Sequence, residues 1–354
     1  MTQQRGAHEA PARELIPGVT RRAATLVIGV LLLQFGFVLS YVGAFHAPAP
    51  REIPIAVVAP SGAPAGTAAS AADRLDGLHG HPLDARAAAT EDDARRLIAD
   101  RDVDGVLLLG ADGKDSLLVA SADGGAVSSA LTEVLTRIDT TQQRTLTTTD
   151  AIPAGTGDAR GLSAFYLAVG WVVGGYLVAA IIGVSAGSRP LTRARGAVRL
   201  GALALYAVVS GVGGALITGP VLGVFHGHQF ALAAFGALLV FAVGAFTMGL
   251  QVWTGLVGIG LAILLFVILG NPSAGGAYPA PLLPPFWAAI GRWLPPGAGT
   301  DAVRGIVYFD GAGAGRAALV LAAYAVFGLA AVLAGSGRGA GAIAEPGREL
   351  QPAE

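Results

Sequence analysis

Gln229–Gly270 reads QFALAAFGALLVFAVGAFTMGLQVWTGLVGIGLAILLFVILG, 42 residues without one charged side chain. As a single helix it would be about 63 Å long at about 1.5 Å per residue, twice the roughly 30 Å of a bilayer's hydrocarbon core. It therefore reads as two membrane-crossing helices joined by a tight turn. The polar side chains near its middle lie in Met248–Thr254 (MGLQVWT), so the turn is expected there. Four more runs are long and apolar enough to cross: Ala24–Phe45, Leu162–Ala186, Leu200–Leu222 and Ala317–Gly335. The expected fold class is an α-helical polytopic membrane protein of six transmembrane helices with an inserted extracellular α/β domain.

Composition agrees with a membrane protein. Only 13% of the residues are charged, against about 25% in soluble proteins. The net charge of −1 gives no case for a nucleic-acid partner. There is no cysteine, which excludes disulfides, thiolate metal sites and cysteine nucleophiles. The first apolar run has 22 residues where a secretory signal core has about 7–15, and Pro50 spoils the small-residue pair Ala47 and Ala49 as a cleavage site. An uncleaved first helix is expected.

Charge divides the chain. His46–Arg160 holds 17 acidic and 10 basic residues; the remainder holds 7 acidic and 13 basic. Short loops rich in arginine stay in the cytoplasm. Arg189, Arg193, Arg195 and Arg199 in Ser188–Arg199 mark one such loop. Arg5, Arg13, Arg21 and Arg22 precede the first helix, and Arg338 and Arg348 follow the last. With six spans both termini are cytoplasmic. The expected organisation is a cytoplasmic tail (1–23), a first helix (24–45), an extracellular α/β domain with its tether (46–160), a five-helix membrane domain (161–335), and a disordered cytoplasmic tail (336–354). Within 46–160, Ile53–Val58, Gly105–Leu109 and Ser116–Ala120 have strand character, and Ala68–Leu78, Glu91–Asp100 and Ala126–Ile138 have helix character. Asp139–Arg160 reads as a polar tether.

FWAAIGRWLPPG, Phe286–Gly297, is too short to span and too apolar for an ordinary loop. At 100° per residue, Phe286, Trp287, Ile290, Trp293 and Leu294 share an arc of about 120°, with Arg292 outside it. An amphipathic, re-entrant helix in the outer leaflet is expected over 282–297, its tryptophans at headgroup level and prolines stopping it at both ends. A second short segment, Asp301–Tyr308, follows. Gly170 and Gly174, spaced as small-xxx-small, are candidates for close helix packing.

The order of parts, with NPSAGGAYPAPLLPPFWAAIGRWLPPGAGTDAVRGIVYFDG (Asn271–Gly311) and RDVDGVLLLGADGKDSLLVASADG (Arg101–Gly124), resembles the ABC type-2 permeases, in particular the phage-infection-protein-like (Pip-like) branch. The likeness in architecture covers nearly the whole chain, and the sharper motif about 40 residues. The resemblance implies a permease subunit moving a hydrophobic or amphiphilic substrate, a homodimer or heterodimer, and a separate ATP-binding subunit. It would make Arg189, Arg193, Arg195 and Arg199 the coupling loop, and Phe286, Trp287, Ile290, Arg292, Trp293 and Leu294 an outer gate.

The chain shows no engine of its own. A P-loop needs GxxxxGK[ST], and the single lysine sits in Gly113-Lys114-Asp115. None of the six expected spans contains an ionisable residue for ion coupling. His226 and His228 lack a third ligand, and no triad is visible, so no enzyme, metal or cofactor is expected. The alternative is a non-transporting envelope protein whose outer domain docks a partner.

Overall fold

A computed structural model describes residues 21–337 of the chain, with side chains from residue 23. The two expected tails, with Arg5, Arg13, Arg338 and Arg348, lie outside the described residues except at their inner ends. Helix α1 (Arg21–Phe45) comes first, predominantly apolar after its two leading arginines and mostly exposed.

The polar segment then folds as an α/β unit in the order β1 (Ile53–Val58), α2 (Thr67–Asp76), β2 (Leu83–Ala87), α3 (Glu91–Ala99), β3 (Gly105–Leu108), β4 (Lys114–Val119), α4 (Ser121–Thr141) and β5 (Thr145–Asp150). The five strands form one mixed sheet, β2-β1-β3-β4-β5. The pairs β1–β2, β1–β3 and β4–β5 are parallel, and β3–β4 is antiparallel. Alternation along β1 serves both faces. Ile53, Ile55 and Val57 pack under α2 and α4, while Ala56 and Val58 face Ala94 and Ile98 of α3. Each such buried aliphatic side chain stabilises by about 1.5–3 kcal/mol. Helix α3 starts where its chemistry demands: Thr90 Oγ1 accepts from Asp93 N at 3.1 Å, and Glu91, Asp92 and Asp93 sit at the positive end of the helix dipole.

Two strands correct the sequence reading. LDARA at β2 and TLTTTD at β5 carry no clear apolar alternation, because they are edge strands with most side chains outside. They become strands by pairing with β1 and β4. The expected tether is thus partly sheet, with Thr145 to Asp150 in register against Lys114 to Val119. Helix α4 also begins five residues before the expected Ala126, across a break at Gly124.

The membrane part follows: α5 (Ser163–Ser185), α6 (Arg193–Leu216) with a π-helical turn at Ile217–Val221, α7 (Gln229–Thr254), α8 (Val257–Ile263) with a π-helical turn at Leu264–Leu269, α9 (Pro285–Gly291), α10 (Pro295–Tyr308) and α11 (Ala314–Gly335). Among the described residues, five helices are long and apolar enough to cross a membrane: Ala23–Phe45, Ser163–Ser185, Arg193–Val221, Gln229–Thr254 and Ala314–Gly335. Helix α7 is the hub, packed by α5, α6, α10 and α11; more than half of its apolar window is buried, against 6% for α1.

The 42-residue run does divide, but not where expected. Met248, Gln251 and Val252 lie inside α7, buried against neighbouring helices. The break falls at Gly255, whose φ of 65° ends the helix. The reason is packing: Gln251 is covered by Gly183 of α5, so polarity there marks a contact and not a turn. The second half is shorter than a span. Val257–Leu269 is 13 residues, about 20 Å of helix against about 30 Å of hydrocarbon. Pro272 follows, and the chain turns at Asn271–Ala274.

The amphipathic segment is also divided. Helix α9 ends at Gly291, where a Cβ would meet Ser273 O at 2.0 Å. Pro295 and Pro296 do not stop a helix; they occupy the first turn of α10, where a missing N–H costs nothing. Asp301–Tyr308 is the second half of α10 and not a separate segment. Helix α10 is buried from Pro295 to Ile306, except at the half-buried Asp301, between α5, α7 and α11.

Candidate functional site

The four loop arginines separate by role. Arg189 Nε donates to Val252 O at 3.0 Å, at the C-terminal end of α7. Arg199 Nη1 donates to Gly187 O at 2.6 Å, and Nη2 to Ala186 O, at the end of α5. Both satisfy carbonyls that a helix end leaves open and oppose its negative dipole. Arg193 and Arg195 stand exposed in the first turn of α6. The ends of α5, α7 and α11 and the start of α6 converge at this pole, linked by Gly337 N to Pro190 O and Trp253 Nε1 to Ala331 O.

Of the outer segment, Phe286 and Trp293 are exposed, Trp287 and Ile290 half-buried, and Leu294 buried. Arg292 lies over the Trp293 ring at 5.9 Å. Gly170 has no neighbour within 4 Å of its Cβ position, and Gly174 meets side chains of α6, the Tyr206 hydroxyl at 3.0 Å and Ser210 Oγ at 3.9 Å. Close helix approach falls instead at Gly175 against Val240 O (2.8 Å), Gly211 against Ala233 O (2.3 Å) and Gly328 against the α7 backbone.

The charged residues that the tertiary structure gathers are different ones. Arg101 follows α3 with φ 61° and reaches from the α/β unit to α10. Its Nε and Nη2 donate to the two carboxylate oxygens of Asp123 at 3.1 and 2.5 Å. Its Nη1 donates to Asp301 O at 2.9 Å, and the guanidinium lies 5.2 Å from the centre of the Phe309 ring. Asp301 also faces Arg316 at 3.5 Å. Beside them is Arg304, 2% exposed, with one hydrogen bond, Nη2 to Gly161 O at 3.3 Å, and no partner for Nε. One turn on, the Tyr308 hydroxyl donates to Asp158 Oδ2 at 3.0 Å, and Asp158 accepts from Ser163 N at the start of α5.

No protein-family model, curated protein or solved structure matches this chain.

The cluster sets its own protonation. Burial pushes Asp104 up to about 7, and the Asp123 charge adds to this against the pull of Arg101 and Arg304. Burial would raise Asp123 too, but the charge and hydrogen bonds of Arg101 outweigh it and hold that carboxyl below the usual range. Burial acts against the Arg101 charge, and Asp123 and Asp301 more than offset it. Arg101 is therefore a fixed ionic rivet, whereas Asp104 is close to its titration point near neutral pH.

These groups line a cleft of roughly 880 Å³ between the α/β unit, the Ser273–Gly275 turn, α9 and α10. Its lining combines these charged side chains with the apolar Leu283, Pro285, Ala288 and Ala289. Gly124 fixes one edge: its φ of 145° breaks α4, and a Cβ there would lie 2.5 Å from Pro279 Cγ. Guanidinium donors beside small apolar side chains suit a molecule with a polar head and an apolar body. The sequence alone does not assemble this site, because Asp301–Tyr308 reads there as a short segment after the amphipathic helix and its partners lie in the α/β unit. Asp-x-x-Arg inside a buried, otherwise apolar helix was the available signal.

Proposed function

We propose that this chain is the membrane subunit of an ABC type-2-like exporter, moving an amphiphilic substrate under the power of a separate ATPase. The observation that carries the reading is the interruption at α8–α10: an apolar half-helix stops short and a polar cleft with Asp301 and Arg304 lies beyond it. Broken helices in membranes occur where backbone is buried in protein or lines a cavity, and such places handle substrate. In this reading the chain crosses six times, the Val257–Leu269 helix and the turn after it making the fifth crossing. Both termini are cytoplasmic and the α/β unit is extracellular, over the mouth of the cleft. Arg193 and Arg195 are the arginines with free heads, so they, and not Arg189 and Arg199, meet the ATPase. A second copy, or a related chain, completes the path along the exposed flanks of α1 and α6. The α9 segment, with Trp287, Arg292 and Trp293, gates release.

The test is affinity capture of the chain from its own membranes, followed by ATPase measurement. A bound ATPase is expected, and R193E/R195E together should reduce its capture by about tenfold or more, as loss of buried charge pairs does at interfaces. A chain that works with no required ATPase sinks the proposal. The competing reading, a non-transporting docking protein, draws support from β5, an edge strand exposed along its length and open to strand addition. Normal efflux in a deletion strain, with altered binding of surface partners, would favour it.

A further inference from the structure

We propose that the cleft takes the anionic headgroup of an amphiphile, phosphate or carboxylate, and that Arg304 is its anchor; the apolar part of this ligand rests on the exporter reading. The argument begins with an imbalance. Arg101 is matched by Asp123 and Asp301, Arg316 by Asp301, and Arg51 by the carbonyls of Ala49 and Leu283. Among the described residues, no carboxylate lies within 4 Å of Arg304 or of Arg292 at the rim. A guanidinium keeps its charge and offers five N–H donors. Arg304 uses one of them, on a neutral carbonyl, and its Nε is buried without an acceptor. A buried charge of this kind is strongly destabilising unless an anion completes it.

Shape agrees with charge. Gly275, at φ 71°, packs beside the guanidinium, a Cβ there lying 3.8 Å from Arg304 Nη1, and both residues line the cleft. Asp123, Asp301 and Asp158 act on Arg304 only from beyond 4 Å: the first two are held by Arg101 and Arg316, and Asp158 by the Tyr308 hydroxyl and Ser163 N. Leu283 and, on α9, Pro285, Ala288 and Ala289 line the cleft together with Arg304, and on the same helix Phe286 is 58% exposed, as is Trp293 just beyond it. A headgroup at Arg304 therefore leaves its chains lying along α9.

The experiment uses the full chain in detergent, titrated with phosphatidylglycerol, phosphatidylcholine or inorganic phosphate. Native mass spectrometry counts bound lipid, and a rise in apparent Tm reports binding of either anion. Saturable phosphatidylglycerol binding, with R304Q weakening it by about tenfold or more, is expected from loss of charge-assisted hydrogen bonds. Binding of phosphatidylglycerol alone identifies a lipid headgroup as the source. Phosphate that binds and competes identifies the anion itself as what the site reads, and likewise supports it. If R304Q does not fold, R292Q, on an exposed side chain, carries the test with a several-fold loss expected. No saturable binding of either anion, or binding untouched by both substitutions, overturns the inference. No ATPase enters this titration, so its failure leaves the exporter reading standing, and the absence of a required ATPase leaves the headgroup site standing.

Discussion

Arg101 and Asp104 stand three residues apart and respond to pH in different ways. Arg101 is locked between Asp123 and Asp301, and removing one partner of such a buried pair costs about 3–5 kcal/mol. Asp104 has no hydrogen bond that holds its charge, so burial raises its pKa from the usual 3.8 to about 7. Because the folded state then binds the proton more tightly than the unfolded chain, stability is greatest below the unfolded pKa. It falls as pH rises through the interval up to about 7. Asp123, held low, has the opposite sign: its stabilisation is present above the ordinary carboxylate range and is lost as acid protonates it. The expected outcome is that D104N melts higher than wild type at about pH 8, with the difference shrinking steadily as pH falls from about 7 towards about 4. Melting of the purified chain across that range checks this; an unchanged pH slope would show that Asp104 is not the titrating group. None of this was legible at residue scale in the sequence, because the groups that set these protonation states lie far along the chain.

At the scale of elements, the apolar helices were legible and their mutual faces were not. Hydrophobic length identifies α5 and α11 to within a few residues, since a bilayer demands it, but it starts α6 seven residues late and places a turn inside the last two turns of α7. Which glycine meets a neighbour depends on crossing points that no single helix encodes. Gly170 and Gly174 have the motif spacing, yet the helices approach at Gly211, where a Cβ would meet Ala233 O at 2.3 Å and Ala237 N at 2.6 Å. G211A should therefore lower stability by about 1–3 kcal/mol through overpacking. G170A, facing open space, should be neutral or slightly stabilising through helix propensity. Unfolding titrations of the two variants, compared with wild type, decide between the motif and the contact. The same limit explains β2 and β5: edge strands made by a partner's hydrogen bonds show little pattern of their own.

For the whole molecule, charge asymmetry leads to an orientation that can be measured directly. The pole formed by the ends of α5, α7 and α11 carries Arg189, Arg193, Arg195 and Arg199, and the opposite pole carries the acidic α/β unit. The chain has no cysteine, so single cysteines report without background. With a membrane-impermeant thiol reagent on intact cells, S61C in the α/β unit should label, whereas R195C should label only after permeabilisation. The reverse pattern would place the α/β unit in the cytoplasm and remove the basis for an outward mouth to the cleft.

By itself the sequence determined the helical membrane class, the apolar helices, the strands at β1, β3 and β4, and the separation of charge. Each of these follows from local composition and period, which act on neighbours along the chain. Only the tertiary structure decided that the 42-residue run breaks at Gly255, that its second half is too short to be a simple span, and that α10 is buried. It alone brought Arg101, Asp104 and Asp123 to Asp301 and Arg304, about 180 to 200 residues away. The physical reason is that burial and ion pairing are properties of a three-dimensional surrounding. A charged residue in an apolar stretch announces that it needs a partner, but only the fold supplies one, and for Arg304 the fold leaves that place open.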